Sequence, residues 1–327
     1  AMWMVAGTFG DVLRAEQLPT LLAGWWFVTN AALALQDAGT DAWEVVVVND
    51  GSTDDTGAAL ARLAGSQPRL RVVTPPRNVG RAAARNLGWR EASGRWILFL
   101  DDDILTPPGL LRAHLDLLAS VPDAGTIGPA VTAPEIVDAP HFHYIDTRGV
   151  AKLPPGPAPG KYFVTQNAGV PRAALAEVGG FDEGYAAYGF EDMDIGFSLE
   201  DAGVRFQVLP APVPWHIHHH TLADYLEKKR ICGRSSLPRL AARHPQRLRE
   251  MRLDLVTDAP GSTPPGPTLR LLRAALRGWP GRLALRLAAT WPAAGNEPVL
   301  PALHHRCLDA CVLTCFCQGL AETRRTD

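Results

Sequence analysis

The chain has 327 residues, 46% of them hydrophobic and 20% charged, which is the composition of a globular protein with a substantial core. Its formal net charge of −2 argues against a nucleic-acid-binding protein, and without an apolar run of about 18 residues no transmembrane helix is predicted. The five cysteines, an odd number, suggest no disulfide framework, and the start AMWMVAGTFGDV lacks the pattern of a signal peptide. We therefore expect a protein of the reducing cytoplasm.

Short β-branched runs alternate with helical patterns through the first part of the chain. In order, the sequence predicts a strand at WEVVVVND, a helix at DDTGAALARLAG that stops at its last Gly, a strand at LRVVTPP, a helix at GRAAARNLGWREASG and a strand at RWILFLDDD. This alternation predicts an α/β domain with a largely parallel sheet. Such sheets carry their sites at the carboxyl ends of the strands, where the turns GTFGD, VNDGSTDD and LDDD fall.

The pattern becomes helical and rich in Arg and Leu after about residue 222. From Glu227 to Arg286, fourteen Lys or Arg are set against four Asp or Glu, which gives a local charge of +10. We divide the chain into an α/β domain over residues 1–222 and a helical extension over residues 223–327. The stretch TLRLLRAALRGWPGRLALRLAATW can lie on an anionic membrane surface, or it can pack on the rest of the protein with solvated arginines. Both interpretations stay open.

Three consecutive carboxylates, Asp101, Asp102 and Asp103, end the apolar run RWILFL. Like charges next to a hydrophobic core cost free energy unless a cation neutralises them. Because a strand alternates its faces, we expect Asp101 and Asp103 on one side, as two carboxylates for a hard divalent ion. The alternative is that one of them caps the helix predicted in LTPPGLLRAHLDLL, although a cap needs only one Asp.

Four motifs between about residues 43 and 220 resemble, in their order, those of the inverting, metal-dependent family 2 glycosyltransferases of the GT-A fold. They are the nucleotide-binding strand and turn VVVVNDGSTDDT, the helix NVGRAAARNLG, the DXD motif in LFLDDD and the acceptor-side segment GGFDEGYAAYGFEDMDIGFSLEDAG. The resemblance implies a Rossmann-like α/β fold, with a mixed, mostly parallel sheet flanked by helices and a C-terminal helical extension. Residues 1–105 would bind the nucleotide sugar and residues 106–222 the acceptor.

The resemblance implies a nucleotide diphosphate sugar as donor, UDP-linked by preference. Asp50, at its strand end, would accept a hydrogen bond from N3–H of uracil. Asn78 and Arg85 are seven residues apart on a predicted helix and would share a face, with Arg85 on the donor phosphate or base. The alternative for Arg85 is an ion pair on the helix surface. The other donor contacts that the resemblance implies are Thr8, Phe9 and Asp102.

The resemblance also implies Mn²⁺ or Mg²⁺ on the donor diphosphate, bound by Asp101 and Asp103. His216 in VPWHIHHH would complete the metal shell, with His218 as the second choice. Asp192 enters the predicted helix at YGFEDMDIGFSL and would be the general base that deprotonates the acceptor hydroxyl. Its alternative role is to stabilise the N-terminus of that helix electrostatically. The acceptor-side residues implied are Glu191 and Asn167.

One departure from the family falls on the first strand, where P-T-[YF]-N is matched only by AGTFGD. Three alternatives remain open. A retaining GT-A hexosyltransferase would not need Asp192 as a base, a sugar nucleotidyltransferase should carry a Gly-rich phosphate loop, and a non-catalytic nucleotide-sugar-binding module would not need the full set of acids. We expect a glycan, lipid-linked or small-molecule acceptor, no nucleic-acid partner, and a location in the cytoplasm or on the cytoplasmic face of a membrane.

Overall fold

The computed structural model describes residues 2–6 and 43–326, with side chains from residue 43 to residue 323. The predicted base contacts Thr8 and Phe9 lie outside this part of the chain. The protein forms two compact units, and the boundary predicted at residue 222 stays a prediction. The first unit comprises Ala1–Ala133, Gly149–Glu183 and Ile195–His218, and the second comprises Pro134–Arg148, Gly184–Asp194 and His219–Asp327.

The first unit is built on a mixed sheet. Its described strands are β1 (Met2–Ala6), β2 (Trp43–Val48), β3 (Leu70–Val73), β4 (Trp96–Leu100), β5 (Ile104–Leu105), β6 (Ala124–Ile127), β7 (Val131–Thr132), β8 (Gly156–Pro157), β9 (Asn167–Pro171), β10 (Arg205–Val208) and β11 (Trp215–His216). Eight of them form one sheet in the order β3-β2-β1-β4-β9-β6-β10-β8. Four of its seven neighbouring pairs are parallel, and β9 runs antiparallel between β4 and β6. The sheet is therefore mixed and mostly parallel, as predicted.

Helices flank this sheet and make up most of the second unit. In chain order the described helices are α1 (Thr56–Ser66), α2 (Arg81–Glu91), α3 (Leu110–Ser120), α4 (His141–Asp146), α5 (Arg172–Val178), α6 (Glu191–Asp201), α7 (Leu222–Ile231), α8 (Leu237–Arg243), α9 (Pro267–Arg277), α10 (Trp279–Ala289) and α11 (Pro301–Thr326). The stop predicted at Gly65 is one residue early, because α1 continues to Ser66 and ends on the extended residue Gln67.

Both faces of the central strands are buried, because every residue of β4 and every residue of β2 except Glu44 is apolar, rather than alternate ones only. Val46 and Phe99 belong to one apolar core, which α2, α5 and α6 cover. Val47 and Leu98 belong to the other, which α1 and α3 cover. The turns that leave the carboxyl ends of β2 and β4 therefore start from fully packed strands.

A small three-stranded sheet, in the order β5-β11-β7, forms beside the turn that follows β4. Its antiparallel pair sets His216 opposite Ile104. The backbone N–H of Ile217 also donates a hydrogen bond of 2.9 Å to the carbonyl oxygen of Asp103. These backbone bonds hold His216 next to the acidic turn, although the two segments are more than 100 residues apart in sequence.

The second unit is helical, with one short hairpin formed by β12 (Ala293–Ala294) and β13 (Glu297–Pro298). Its core brings Tyr144 and Ala288 together with Leu308 and Cys311 of α11. A capping box between Thr221 and Asp224 starts α7. Within the described residues, every helix is either too short or too polar to cross a bilayer.

A buried histidine links helix α3 to the sheet of the first unit. His114 is fully buried, with Nδ1 2.7 Å from Thr126 Oγ1 and Nε2 2.8 Å from Asn167 Oδ1. The amide of Asn167 donates to the carbonyl oxygen of Pro129, so its Oδ1 faces His114 as an acceptor. The imidazole therefore carries a proton on Nε2. Burial lowers the pKa of His114 from 6.5 to about 4.

This buried histidine predicts a loss of stability in acid. Between pH 6.5 and about 4, the unfolded chain binds a proton at residue 114 that the folded protein does not, so the stability present above pH 6.5 is lost as the pH falls. At about 1.36 kcal/mol per pH unit, the loss from this group is about 3 kcal/mol. Urea unfolding at a series of pH values should show a flatter acid limb for His114→Gln than for the wild-type chain.

Candidate active site

The turn after β2 is bonded to the turn before α2 through Asp50. The buried carboxylate of Asp50 accepts hydrogen bonds from the backbone N–H of Val79 at 2.7 Å and of Gly80 at 2.9 Å. The side-chain amide of Asn78 donates to the carbonyl oxygen of Asp50 at 2.8 Å. Gly51 has a φ of +82°, and a Cβ there would lie 3.2 Å from the backbone nitrogen of Asn78, so the turn requires glycine.

These bonds alter what was expected of two donor-side residues. Asn78 and Arg85 do not share a helix face, because α2 begins at Arg81 and Asn78 lies in the preceding turn. Asn78 instead fastens that turn to the end of β2. Each carboxylate oxygen of Asp50 still has a second lone pair, so a contact with a uracil N3–H is chemically available.

Arg85 projects from α2 towards the acidic turn. Its side chain is 7% exposed, and Nη2 lies 3.8 Å from Oδ1 of Asp101. The guanidinium carbon is 5.7 Å from the centre of the Phe181 ring. A surface ion pair, the alternative considered for Arg85, does not fit a side chain that is this buried. The residue therefore supplies a fixed positive charge beside the carboxylates.

Asn86 fixes Phe181, whose ring lies beside Arg85, and the sequence patterns did not single Asn86 out. Its amide donates 2.9 Å to the carbonyl oxygen of Phe181 and accepts 2.8 Å from the N–H of the same residue. Its Oδ1 also accepts a bond from the indole N–H of Trp89 at 3.0 Å. A Cβ on Gly180 would collide with this oxygen. The available signal was the presence of two short motifs, A-R-N and G-G-F, in the sequence. In the structure the residues of these two motifs form hydrogen bonds with each other.

The three acids lie in a turn and not in a strand, which corrects the alternating arrangement expected from the sequence. Strand β4 ends at Leu100, and the N–H of Ile104 bonds to the carbonyl oxygen of Asp101 at 3.3 Å, which closes the turn. The helix-cap alternative is also wrong, because Gly109 occupies the N-cap position of α3. The acids are left to interact with one another and with the neighbouring cations.

Two histidines face Asp103. Nε2 of His216 lies 3.1 Å from Oδ2 of Asp103, and Nδ1 of His218 lies 3.7 Å from the same oxygen. The two imidazole rings stack with their centres 5.7 Å apart. The other predicted ligand position, Asp101, contacts Arg85 instead. The structure thus brings Asp103, His216 and His218 together in the first unit.

The electrostatics of the turn differ among its three carboxyls. Burial raises the pKa of Asp101, against the effect of Arg85. Burial and the two neighbouring carboxyls raise the pKa of Asp102 well above its usual value. At Asp103 burial acts in the same direction, but His216 and His218 outweigh it and lower the pKa. The surroundings therefore favour the ionised form at Asp103 and disfavour it at Asp101 and Asp102.

The residues of the turn fit a divalent cation that takes only one or two ligands from the protein and the others from a bound substrate and water. Over the described part of the chain, no group of three or more His, Cys, Asp or Glu side chains is arranged to hold a metal ion. Among the described residues, however, the buried Oδ1 of Asp103 has no hydrogen-bond partner. The 3.1 Å between His216 and Asp103 is close to the spacing of adjacent ligands in an octahedron with bonds of about 2.1 Å. Mg²⁺ commonly uses one or two protein ligands together with water and substrate phosphates.

The N-terminus of α6, in the second unit, carries Glu191, Asp192 and Asp194 in its first turn. Phe190, the residue before it, has a φ of +69°, which is strained for a side chain of this size. Asp194 is buried, and its Oδ1 accepts bonds from Nε of Arg243 at 2.6 Å and from the hydroxyl of Tyr185 at 3.2 Å. Asp194 is thus a structural anchor for this turn, while Asp192 is only partly buried.

Asn167 is committed to the sheet of the first unit. Its amide bonds to His114 and to the carbonyl oxygen of Pro129, and its side chain is 1% exposed. A direct contact with an acceptor would have to compete with both bonds. The acceptor role of Asn167 stays a prediction, as does that of Glu191, which is also buried.

Residues 27–175 match the model of the family described as Glycosyl transferase family 2. The pre-mycofactocin glycosyltransferase of Mycobacterium tuberculosis H37Rv is 30% identical over 215 residues, which are 62% of this chain and 43% of that protein. The N-acetylglucosaminyl-diphospho-decaprenol L-rhamnosyltransferase of the same organism is 27% identical over 235 residues, 61% of this chain and 71% of that protein. The chain spans less than half the length of the first of these relatives.

Solved structures show the same architecture. The mannosyltransferase PcManGT from Pyrobaculum calidifontis, in complex with GDP-Man and Mn²⁺, has a TM-score of 0.59 at 20% identity and covers 99% of this chain and 86% of its own. S. aureus TarS 1–349, in complex with UDP-GlcNAc, has a TM-score of 0.53 at 16% identity over 100% of this chain and 92% of its own. Identities this low establish only the fold.

The fold is therefore GT-A. Residues 27–175 match the Glycosyl transferase family 2 model, and the resemblance of the sequence motifs to family 2 glycosyltransferases of the GT-A fold is confirmed.

Proposed function

We propose that the chain is a glycosyltransferase that moves a sugar from a nucleotide diphosphate donor, UDP-linked by preference, to an acceptor hydroxyl with inversion. The observation that carries the proposal is the turn after β4, where Arg85 contacts Asp101 and two histidines contact Asp103. The family match supports it. The names of the matched M. tuberculosis relatives, a glycosyltransferase and a rhamnosyltransferase acting on a diphospho-decaprenol, support it as well.

On this proposal the donor is held in the first unit. Asp50 accepts a hydrogen bond from the uracil ring, and Asp102 contributes a contact to the donor. Arg85 places a guanidinium near the phosphate oxygens, where it offsets the charge that grows on the departing diphosphate. Because Arg85 is buried and braced by Phe181, its charge needs little reorganisation when the bond to the sugar breaks.

Asp103 and His216 would hold Mn²⁺ or Mg²⁺, with Asp101 or His218 as a further ligand, and when bound the ion would neutralise the leaving diphosphate. Asp192 takes the proton from the acceptor hydroxyl as its oxygen attacks the anomeric carbon. The bond from that carbon to the nucleotide diphosphate breaks as the new glycosidic bond forms. Inversion follows from this single in-line displacement, whereas a retaining enzyme would give the opposite anomer.

A panel of UDP- and GDP-sugars tests the proposal. We expect the chain with Mn²⁺ to release nucleotide diphosphate slowly from one or a few of them, with water taking the place of the acceptor. Removal of the cation by EDTA should lower this rate. A variant of an exposed ion pair on α3, Asp116→Asn, should behave as wild type. No release and no saturable binding of any nucleotide sugar would contradict the proposal. NMR of the anomeric product would distinguish inversion from retention.

The acceptor class is proposed as a glycan, a lipid-linked molecule or a small molecule, and a location in the cytoplasm is proposed with it. The relative that acts on a diphospho-decaprenol favours testing lipid-linked acceptors first. A synthetic prenyl diphospho-sugar and its water-soluble analogue, offered to the chain with its preferred donor, would separate these classes.

A further inference from the structure

The exposed apolar side chains of the second unit are concentrated in one part of the chain. Eight of the eleven large apolar side chains that are exposed among the described residues lie between residues 271 and 303. They belong to α9, α10, the segment after β13 and the start of α11, which we call the apolar patch: Leu271, Leu272, Trp279, Leu283, Leu287, Val299, Leu300 and Leu303. Concentration of this kind on a protein surface marks an interaction site.

Helix α10 shows the pattern most clearly. Trp279, Leu283 and Leu287 follow one another at intervals of four residues, so they form a stripe along one face, and their exposed fractions are 65%, 36% and 48%. On another face, Gly281 and Ala288 are buried in the unit. The helix therefore packs on the unit by one face and exposes the apolar stripe on another, so packing within the unit does not explain why the stripe is apolar.

Arginines border this stripe, and no acid accompanies them in the sequence. Arg282 and Arg286 are exposed and lie one helical turn apart on α10, directly beside the Leu stripe. Arg270 and Arg277 are exposed on α9. No Asp or Glu occurs between Asp258 and Glu297. Long arginine side chains can keep their charge at the level of lipid headgroups while the apolar residues next to them enter the acyl region.

We propose that the apolar patch on α9, α10 and the start of α11 docks the protein on a membrane surface rich in anionic lipid. The Leu and Trp side chains enter the interface, and the four exposed arginines contact the lipid phosphates. The proposal does not depend on sugar transfer, because the binding it describes needs neither donor nor acceptor.

The charge of the patch disfavours a second copy of the chain as its occupant. In a two-fold dimer, the same surface of each copy faces the other. The exposed arginines of one copy would then lie against those of its partner, with no acid from α9 or α10 to separate them. An anionic lipid surface instead complements both the apolar residues and the positive charge.

Sedimentation of the full chain with phosphatidylcholine vesicles, prepared with and without phosphatidylglycerol, tests the proposal. We expect binding to the anionic vesicles, weaker binding to the neutral ones, and a decrease with added salt. The double variant Leu283→Ser/Leu287→Ser should bind at least about tenfold more weakly, and Arg282→Gln/Arg286→Gln should lose most of the preference for phosphatidylglycerol.

Two matched controls complete the test. Val164→Ser removes an exposed apolar side chain from the first unit, and Arg62→Gln removes an exposed arginine there, so both should bind as wild type. Light scattering without vesicles reports self-association. The proposal is overturned if the wild-type chain does not bind anionic vesicles, or if the serine variant binds them equally well. It is also overturned if the serine substitutions instead dissolve a dimer, which would assign the patch to a second copy.

Discussion

Asp103→Asn is expected to remove the part of nucleotide binding that depends on a divalent cation and to lower turnover at least about a hundredfold. The substitution keeps the shape of the side chain but loses its charge, so the Oδ1 atom left unpartnered in the described structure no longer offers a carboxylate to a cation. It also leaves His216 without an ionised partner. Calorimetric titration of UDP with and without Mn²⁺ measures the first effect, and steady-state kinetics measures the second.

The matched control is Asp116→Asn, an acid on the exposed face of α3 that pairs with Arg112. It should leave both the titration and the turnover unchanged. If Asp103→Asn bound UDP with the same affinity and the same response to Mn²⁺ as wild type, the acidic turn would have only a structural role, and our assignment of the cation to it would be wrong.

Asp192→Asn is expected to abolish transfer while donor binding is retained. An Asn at this position cannot accept the proton of the acceptor hydroxyl, and loss of a general base typically costs about 10²- to 10⁴-fold in rate. The donor contacts proposed for Asp50, Arg85 and Asp103 do not involve residue 192. The variant should therefore show a reduced kcat for transfer to the acceptor, while calorimetry should give an unchanged Kd for the donor.

Asp201→Asn, at the other end of the same helix, is the control for this experiment. It removes an exposed carboxylate from α6 without touching the proposed base, and we expect wild-type kinetics. A rate for Asp192→Asn within a few-fold of wild type would exclude Asp192 as the base and would favour a retaining mechanism, which product NMR then checks.

The sequence was sufficient for the parts of the fold that repeat a strong pattern. The runs VVVV in β2 and WILFL in β4 are apolar at every position, as expected of strands buried on both faces, and β2 and β4 are such strands. The family motifs also identified the acidic turn and His216 as neighbours, which the pairing of β11 with β5 explains. No periodicity in the sequence predicts that pairing, so the resemblance supplied it.

The sequence-based predictions are wrong where tertiary contacts, and not the local pattern, determine the conformation. Asp101, Asp102 and Asp103 were expected to continue β4, but the strand stops at Leu100 because the chain turns to form β5. Asn78 was placed on a helix whose first residue is Arg81. In each case the local pattern predicts an element that is longer than the observed one. The hydrogen bonds that limit the element come from a residue distant in sequence or from the turn itself, and a local pattern does not contain them.

The carboxylate of Asp50 ties together two loops whose bonded residues are 29 and 30 positions apart. We expect a substitution at this position to shift the start of α2, and with it the side chains that the helix carries, independently of the contact proposed between Asp50 and the nucleobase. An inactive variant at this position would therefore not by itself test the proposed contact of Asp50 with the base. Attempts to change donor selectivity should begin at positions whose side chains do not also form hydrogen bonds that hold two backbone segments together.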